Sequence, residues 1–152
     1  NTIKISIIYA EADKHYKERL RTHLAPQIRS KLIELWDEDS LSGGTDKLKE
    51  VSKHIISSRI ILLMVSPDFA ASEECYTEME LAMQQRADDK AVVIPIRVRP
   101  TDWPGAPFEG LLPLPRDGKP ISSLSSSQMD EAWRDVAKDL YNMCEGERKK
   151  NA

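Results

Sequence analysis

The sequence predicts an α/β protein whose parallel sheet is covered by helices on both faces. Four short apolar runs rich in Ile and Val are spaced along the chain, and each has the length of a strand. The segments between them are long enough for crossover helices, so strands and helices alternate. The third run, IILLMV, contains no polar residue, which is typical of a strand buried on both faces. We therefore expect a flavodoxin-like, doubly wound fold with five parallel strands in the order 2-1-3-4-5.

The predicted strands follow the apolar runs. The first four cover residues 3–9, 32–36, 60–65 and 91–98. The stretch that follows, residues 100–120, holds six of the nine prolines and three of the six glycines, so we expect no regular helix there. A short fifth strand is expected at residues 120–122.

The helices are predicted from apolar residues that recur every three or four positions. This pattern covers residues 13–24, 46–58, 72–87 and 129–144. Asp13 is expected to cap the first helix, and Ser72, which two glutamates follow, is expected to cap the third. The last eight residues, EGERKKNA, are charged and lack an apolar period. We therefore assign residues 1–144 to the domain and 145–152 to a charged linker, and we expect the chain to be part of a longer protein.

Composition and charge argue against several classes of protein. The chain has 152 residues, with 22 Lys and Arg against 25 Asp and Glu, a net charge of −3 and a pI near 5.7. This balance disfavours binding to nucleic acid or to an anionic membrane surface, which need a basic excess. The longest apolar run, residues 60–65, is far shorter than the ~20 residues that span a bilayer. We expect a cytoplasmic protein.

The cysteines and histidines indicate neither a disulfide framework nor a metal site. Cys75 and Cys144 both lie on apolar helical stripes, where packing is the usual role of a cysteine. The three histidines lie far apart, so no zinc-ligand spacing occurs. We expect no metal and no bound cofactor.

Ligands of a doubly wound sheet bind at the carboxyl ends of the strands, where the strand order reverses. In this chain the rule indicates residues 9–13, 36–44 and 66–78. The segment WDEDSLSGGTDKL carries four acidic residues, and no Lys-Ser/Thr pair follows its glycines, so it is a poor phosphate loop. The third helix places Glu78 and Glu80 on opposite flanks of its buried face. Periodicity does not decide which of the two enters the crevice.

A response-regulator receiver has the same sheet order, but its functional residues are missing. A receiver needs an acidic pair after the first strand and a phosphoacceptor Asp at the end of the third. Here Tyr9-Ala10 and Ser66-Pro67 occupy those places, and no Lys closes the fourth or fifth run in the right position. The receiver function is therefore rejected.

At the three crevice segments the chain resembles the TIR (Toll/interleukin-1 receptor) domain of the bacterial kind. The resemblance extends over about residues 3–140. Its landmarks are the opening strand IKISIIYAEAD, the stretch LIELWDEDSLSGG, which is similar to the BB loop of the family, the strand and helix IILLMVSPDFAASEECYTEMELA, and the Pro-rich stretch RPTDWPGAPFEGLLPLPRDGKPIS. The four landmarks occur in the order that the family shows.

The resemblance implies an enzyme that cleaves NAD between nicotinamide and ribose, with NAD as substrate and not as cofactor. The spacing Cys75-Tyr76-Thr77-Glu78 is similar to that of plant-like members and implies Glu78 as the catalytic residue, with Glu80 as a weaker alternative. Substrate-binding residues implied by the resemblance are Tyr9, Ala10, Asp13, Trp36, Asp37, Ser66 and Cys75. Many members have Arg or Ser where this chain has Ala10, so one contact of the family is absent here.

The resemblance also implies partners. The BB loop is expected to contact other TIR domains head to tail, which produces open filaments, and a sensor domain is expected in the full-length protein. The implied role is a bacterial immune, anti-phage effector. A non-catalytic TIR module that nucleates assembly or blocks host signalling is the alternative. A nucleoside deoxyribosyltransferase-like enzyme shares the sheet and uses a Glu on ribose, but the BB-loop and SPDF…CYTEM segments argue against it.

Overall fold

A computed structural model describes residues 1–150 of the chain, and its core is one parallel sheet. The four strands are β1 (Ile3–Ile8), β2 (Ile33–Trp36), β3 (Ile60–Val65) and β4 (Val92–Arg97), in the order β2-β1-β3-β4. Each of the four predicted apolar runs forms a strand, so the parallel sheet and the reversal of strand order at β1 are confirmed. All six residues of β3 are buried, as the absence of polar side chains predicts.

Helices cover both faces of the sheet. They are α1 (Lys14–His23), α2 (Ala25–Arg29), α3 (Lys47–Ile56), α4 (Pro67–Ala71), α5 (Glu73–Ala87) and α6 (Ser126–Lys150). On one face, Leu20 of α1 and Trp133 of α6 pack with Leu62 of the sheet. On the other face, Ile55 of α3 and Met79 of α5 belong to a separate apolar cluster. Successive side chains along each strand therefore point to opposite faces and pack into two separate cores, as a doubly wound fold requires.

The fifth strand predicted at residues 120–122 is wrong. Residues Ile121–Ser123 form a turn of 3₁₀-helix, and beside β4 the described residues contain only an isolated parallel bridge between Ile96 and Leu114. Leu114 donates its N–H to the carbonyl of Pro95 and accepts from the N–H of Arg97, both at 2.9 Å. Prolines on both sides of this point lack the N–H that a longer ladder needs, so one residue occupies the place of a strand.

Helix α6 is longer than the sequence predicts. It begins at Ser126 and extends through the first residues of the segment assigned to a linker, as far as Lys150. Within that segment Glu147 is buried, and one of its oxygens lies 3.3 Å from Nε of Arg59. Residues 151 and 152 of the predicted linker lie outside the described residues. The domain boundary at residue 144 stays a prediction.

Candidate functional site

A cleft of about 370 Å³ lies at the carboxyl ends of β1 and β3, between α5 and the loop that follows β2. This is the edge of the sheet at which ligands of doubly wound folds bind. Five carboxylates line it: Glu11, Glu38, Asp68, Glu74 and Glu78. Across residues 1–150, Lys47 is the one cationic side chain in the lining. The cleft is therefore strongly acidic.

Three of these carboxylates form a tight cluster. One oxygen each of Glu38, Glu74 and Glu78 lies within 4.8 Å of the other two. Nζ of Lys47 approaches Glu74 Oε2 at 2.7 Å and Glu38 Oε2 at 3.0 Å. The latter oxygen is buried, and no well-directed hydrogen bond reaches it from the described residues. One ammonium thus pairs with two of the three acidic groups. Among the described residues Glu78 has no ion pair, so the cluster is short of positive charge.

The titration of Glu78 is displaced by its surroundings. Burial raises the pKa of Glu78 to about 7, the charge of Glu38 adds to the rise, and Lys47 opposes it. Glu80, its alternative on the same helix, is exposed to solvent and does not line the cleft. Of the two carboxylates that the helical period leaves equivalent, Glu78 alone lies in the cleft.

The start of α5 sets the direction of its functional face. Oγ of Ser72 accepts a hydrogen bond from the N–H of Cys75 at 3.1 Å, so Ser72 caps the helix as predicted. Cys75 and Glu78 are three residues apart and therefore share one side of the helix, toward the cleft. Burial raises the pKa of Cys75 to about 11, which keeps the thiol protonated and makes it a packing group in the cleft wall.

The exit of β1 forms another wall. Tyr9 and Ala10, both predicted substrate-binding residues, are buried and line the cleft. Oη of Tyr9 donates a hydrogen bond to Asp39 Oδ1 at 2.9 Å. The ammonium of Lys17 lies 5.3 Å from the centre of the Tyr9 ring. Burial raises the pKa of Tyr9, so the phenol stays protonated and holds the loop after β2 against β1.

Asp13 and Ser66 do not line the cleft, and both are fully buried. Asp13 is fully buried and accepts hydrogen bonds from Ser66 Oγ at 2.5 Å and from Arg99 Nε at 2.7 Å. Asp13 occupies the N-cap position of α1 as predicted, but its carboxylate makes no capping bond to the helix, because Ser66 and Arg99 engage it. Arg99 also pairs with Asp68, which lines the cleft. This network ties the exits of β1, β3 and β4 together.

Trp36 and Asp37 also lie outside the cleft lining. The ring of Trp36 stacks on His54 with centroids 4.0 Å apart. Asp37 is buried and accepts hydrogen bonds from Lys17 at 3.1 Å and from Arg21 at 2.9 Å. Its Oδ1 also accepts from the N–H of Asp39 at 2.9 Å, which shapes the start of the loop. Both residues therefore set the course of the loop that carries Glu38.

Seven residues of the cleft lining are not among the predicted site residues: Glu11, Ala12, Glu38, Lys47, Asp68, Ser72 and Glu74. Most lie inside the segments that the sheet rule indicates, but their residue types do not distinguish them from solvated loop residues. The charge run of the loop after β2 was the available signal for Glu38. Nothing in the local pattern marks Lys47, because its acidic partners are distant in sequence.

A larger cavity, of about 710 Å³, lies elsewhere, beside β4 and the Pro-rich stretch. Its walls are mostly apolar, with Leu111 and Pro113 among them, and its two charged lining residues are Arg86 and Arg116. No carboxylate of the described residues lines it. Size alone favours this cavity, but the acid-base groups are in the smaller cleft, which is the better candidate for chemistry.

None of the helices within residues 1–150 has the length and apolar character needed to cross a membrane.

The sequence comparisons identify a bacterial relative and a family. A family model for the TIR domain matches residues 5–137. The uncharacterised protein y4lF of Sinorhizobium fredii (strain NBRC 101917 / NGR234) is 41% identical over 131 residues, which cover 86% of this chain and 40% of that protein. The chain thus spans about two fifths of the length of this relative.

Two solved structures share the fold. The TIR domain of the Toll-related receptor TRR-2 from Hydra magnipapillata aligns with a TM-score of 0.62 and 19% identity, over 90% of this chain and 96% of that one. The TIR domains of Roq1, from an activated resistosome that directly recognises the pathogen effector XopQ, align with a TM-score of 0.52 and 21% identity, over 90% of this chain and 83% of that one. Together with the matching family model, the fold identifies the chain. It belongs to the TIR domain family.

Proposed function

We propose that this TIR domain is an NAD glycohydrolase or cyclase that cleaves the nicotinamide–ribose bond, with Glu78 as the catalytic residue. The observation that carries the proposal is the setting of Glu78. It lines the cleft at the carboxyl edge of the sheet, beside two further carboxylates, and burial raises its pKa to about 7. A strongly displaced pKa in a cleft is a frequent property of catalytic groups.

The chemistry of NAD suits a single carboxylate. The nicotinamide ring is a pyridinium cation and leaves as a neutral molecule when the bond to ribose breaks. The leaving group needs no proton, whereas ordinary glycoside hydrolysis uses a second carboxyl group to supply one. Glu78 would stabilise the oxocarbenium-like ribose and orient its hydroxyl groups. Water then adds to give ADP-ribose, or a nucleotide group adds to give a cyclic or exchanged product.

The acidic lining supports the choice of a cationic substrate. A cleft with five carboxylates has a negative potential, which attracts the pyridinium ring and then the positive charge that develops on ribose. The bound cation in turn favours the ionised form of Glu78 and lowers its pKa from about 7. After cleavage the nicotinamide is neutral, so this attraction is lost and release is favoured.

The predicted substrate-binding residues divide into two roles in this proposal. Tyr9, Ala10 and Cys75 line the cleft and would contact the nicotinamide side of the substrate. The other four, Asp13, Trp36, Asp37 and Ser66, would act by holding the strand exits and the loop that form the walls. Because Ala10 has no polar side chain, the Tyr9 side of the pocket offers shape and not a hydrogen bond at that point.

We also propose that activity depends on self-association through the BB loop, here residues 37–46. Ser42, Gly43 and Gly44 at its tip are exposed, which supports a contact surface. The TIR domains of Roq1 belong to an assembled resistosome. The bacterial relative is much longer than the matched region, which supports a sensor domain in a longer protein. In that context the domain would serve as a cytoplasmic immune effector against phage.

The test is nicotinamide release from NAD at high protein concentration. Glu78→Gln preserves size and removes the charge, and we expect it to lower the rate by about 100-fold or more. Glu80→Gln is the matched control, because Glu80 lies on the same helix but faces solvent. It should leave the rate within about twofold. If none of the three proteins releases nicotinamide, even when forced to assemble, the domain is a non-catalytic interaction module.

A further inference from the structure

Lys47 connects the two walls of the cleft. It is the first residue of α3, and its ammonium lies between Glu38 of the BB loop and Glu74 of α5, at 3.0 and 2.7 Å. The side chain of Glu74 is 70% exposed and that of Lys47 is 49% exposed. The pair with Glu74 is open to water and therefore weak, so a competing anion can replace Glu74. The pair with Glu38 is less open, because the Glu38 side chain is 22% exposed.

Three cavities meet at this lysine. Besides the cleft, a cavity of about 410 Å³ lies between α3 and α5, and one of about 390 Å³ lies under the tip of the BB loop. Within residues 1–150, Lys47 is the one residue that lines all three. The cleft shares Glu74 and Glu78 with the first of these cavities and Glu11 and Glu38 with the second, so the three adjoin one another around Lys47.

A dinucleotide brings two kinds of charge to this place. Its pyridinium end suits the acidic cleft, but its two phosphates are repelled by the same carboxylates. Within the described structure, the cation that lines the cleft is Lys47. An ammonium group is a good phosphate ligand because it carries a compact charge and three hydrogen-bond donors.

We propose that the ammonium of Lys47 moves away from Glu38 and Glu74 and binds the pyrophosphate of the substrate. The proposal rests on the proposed function, since it assumes that the pyridinium end lies at Glu78. The two cavities that adjoin the cleft at Lys47 would then receive the adenosine half of the dinucleotide. Lys47 thereby selects substrates that carry phosphate over the free nucleoside.

Ligand binding tests the proposal without any need for turnover. ADP-ribose has the pyrophosphate and lacks nicotinamide; adenosine has no phosphate. By calorimetry, Lys47→Met should weaken ADP-ribose binding about 10-fold or more and leave adenosine binding unchanged. Lys49→Met, an exposed lysine on the same helix that lines none of the three cavities, is the matched control and should bind both ligands normally.

A second variant separates exchange from a merely structural bridge. Glu74→Gln releases Lys47 from one carboxylate, so it should tighten ADP-ribose binding by about two- to fivefold. A bridge that only holds the walls together predicts the opposite, namely weaker binding in both Glu74→Gln and Lys47→Met. Lys47→Arg keeps the charge and should bind ADP-ribose within about threefold of the parent protein.

The kinetics of NAD cleavage supply the last comparison. At pH 8.5, where Glu78 is ionised, Lys47→Met should raise KM about 10-fold with kcat within about threefold. Equal ADP-ribose binding by Lys47→Met and the parent protein, or no binding by the parent, would overturn the role of Lys47. A loss of ADP-ribose binding in Lys47→Met without nicotinamide release by any protein would retain that role and reject the proposed function.

Discussion

Two groups of acidic side chains lie side by side at the carboxyl edge of the sheet, and their pairing differs. In the first group, Asp13 and Asp37 are buried and each accepts hydrogen bonds from at least one cation: Arg99 for Asp13, and Lys17 and Arg21 for Asp37. In the second group, Glu38 and Glu74 share the ammonium of Lys47, and Glu78, which lies against them, has no ion pair among the described residues. The first group is rich in compensating charge and the second is poor in it.

The difference in pairing suggests that the first group stabilises the fold and that the second group binds ligand and takes part in chemistry. A buried carboxylate with full hydrogen bonding stabilises one arrangement of the chain and has no reason to exchange its partners. Burial raises the pKa of Glu78 to about 7, and the charge of Glu38 adds to the rise. A carboxylate in this state gains by binding an external cation. We therefore expect variants of the first group to affect stability most, and variants of the second group to affect ligand binding and rate.

The largest effect on stability is expected from Asp13→Ala. It leaves Arg99 without its buried partner and Ser66 Oγ without an acceptor, at a cost of about 3–5 kcal/mol. Urea denaturation measures the free energy of unfolding. The control is Asp130→Ala, which removes an exposed ion pair with Arg19 and should cost less than about 1 kcal/mol. Similar losses in both variants would contradict the contrast between paired and exposed acids.

Lys17→Met should have the next largest effect, about 2–3 kcal/mol at pH 7, because it removes a buried cation from Asp37 and Asp39. A hydrogen bond from Lys17 is the main cause that lowers the pKa of Asp39 to about 2. A lowered carboxyl pKa stabilises the fold above its unfolded value near 3.8 and ceases to do so as the pH falls toward 2. The deficit of Lys17→Met should therefore shrink as the pH falls from about 5 to about 2, as measured by urea denaturation. A constant deficit over that range would contradict this prediction.

Glu78→Gln should stabilise the domain, in contrast to the two variants above. The raised pKa of Glu78 means that the folded state binds this proton more tightly than the unfolded state, so stability falls as the pH rises from about 4.5 through about 7. Discounted for partial exposure, the gain in Glu78→Gln is about 1–2 kcal/mol at pH 8, or a few degrees in Tm, and close to zero at pH 4. Thermal unfolding at both pH values checks this. A lower Tm at pH 8 would show that Glu78 is a stabilising residue.

The smallest effect is expected from Glu74→Gln. The charge of Glu74 is the last of the causes that displace the pKa of Glu78, so its removal should lower that pKa by a fraction of a unit. NMR titration of carbon-labelled glutamate side chains measures the shift. Glu73→Gln, one position earlier on α5, is the control and should leave the titration of Glu78 unchanged. An upward shift in Glu74→Gln would mean that the neighbouring glutamates do not repel one another as described.

The sheet was predictable because buried strands consist of short runs of apolar residues that are easy to recognise in the sequence. A strand without polar residues, such as Ile60–Val65, is hard to place anywhere but the centre of a parallel sheet. The fifth strand was not predictable from residues 120–122, because the edge of β4 is completed by Leu114 alone, between prolines that prevent a longer ladder. The choice of that residue is decided by how the Pro-rich stretch folds back, which local pattern does not encode.

The site was predictable only in part, for the same reason. Helical periodicity leaves Glu78 and Glu80 equivalent; the exit of β1 decides between them by occupying the Glu78 side of α5. The position of Glu38 depends on Asp37, whose buried bonds to Lys17 and Arg21 join residues distant in sequence. Lys47 becomes part of the cleft through Glu74, on another helix. These contacts join residues that are distant in sequence, so no local motif predicts them.

The pH dependence of kcat/KM for nicotinamide release is the most direct test of Glu78 as the catalytic residue. This profile reports the titration of the free enzyme, and ionised Glu78 is the form that stabilises the ribose cation. We predict that kcat/KM falls about tenfold per unit of pH below about 7 and levels off above it, in accord with the pKa of Glu78. A profile that is flat from pH 5 to pH 8, or one that falls only near the ordinary glutamate pKa of 4.5, would contradict the catalytic role of Glu78.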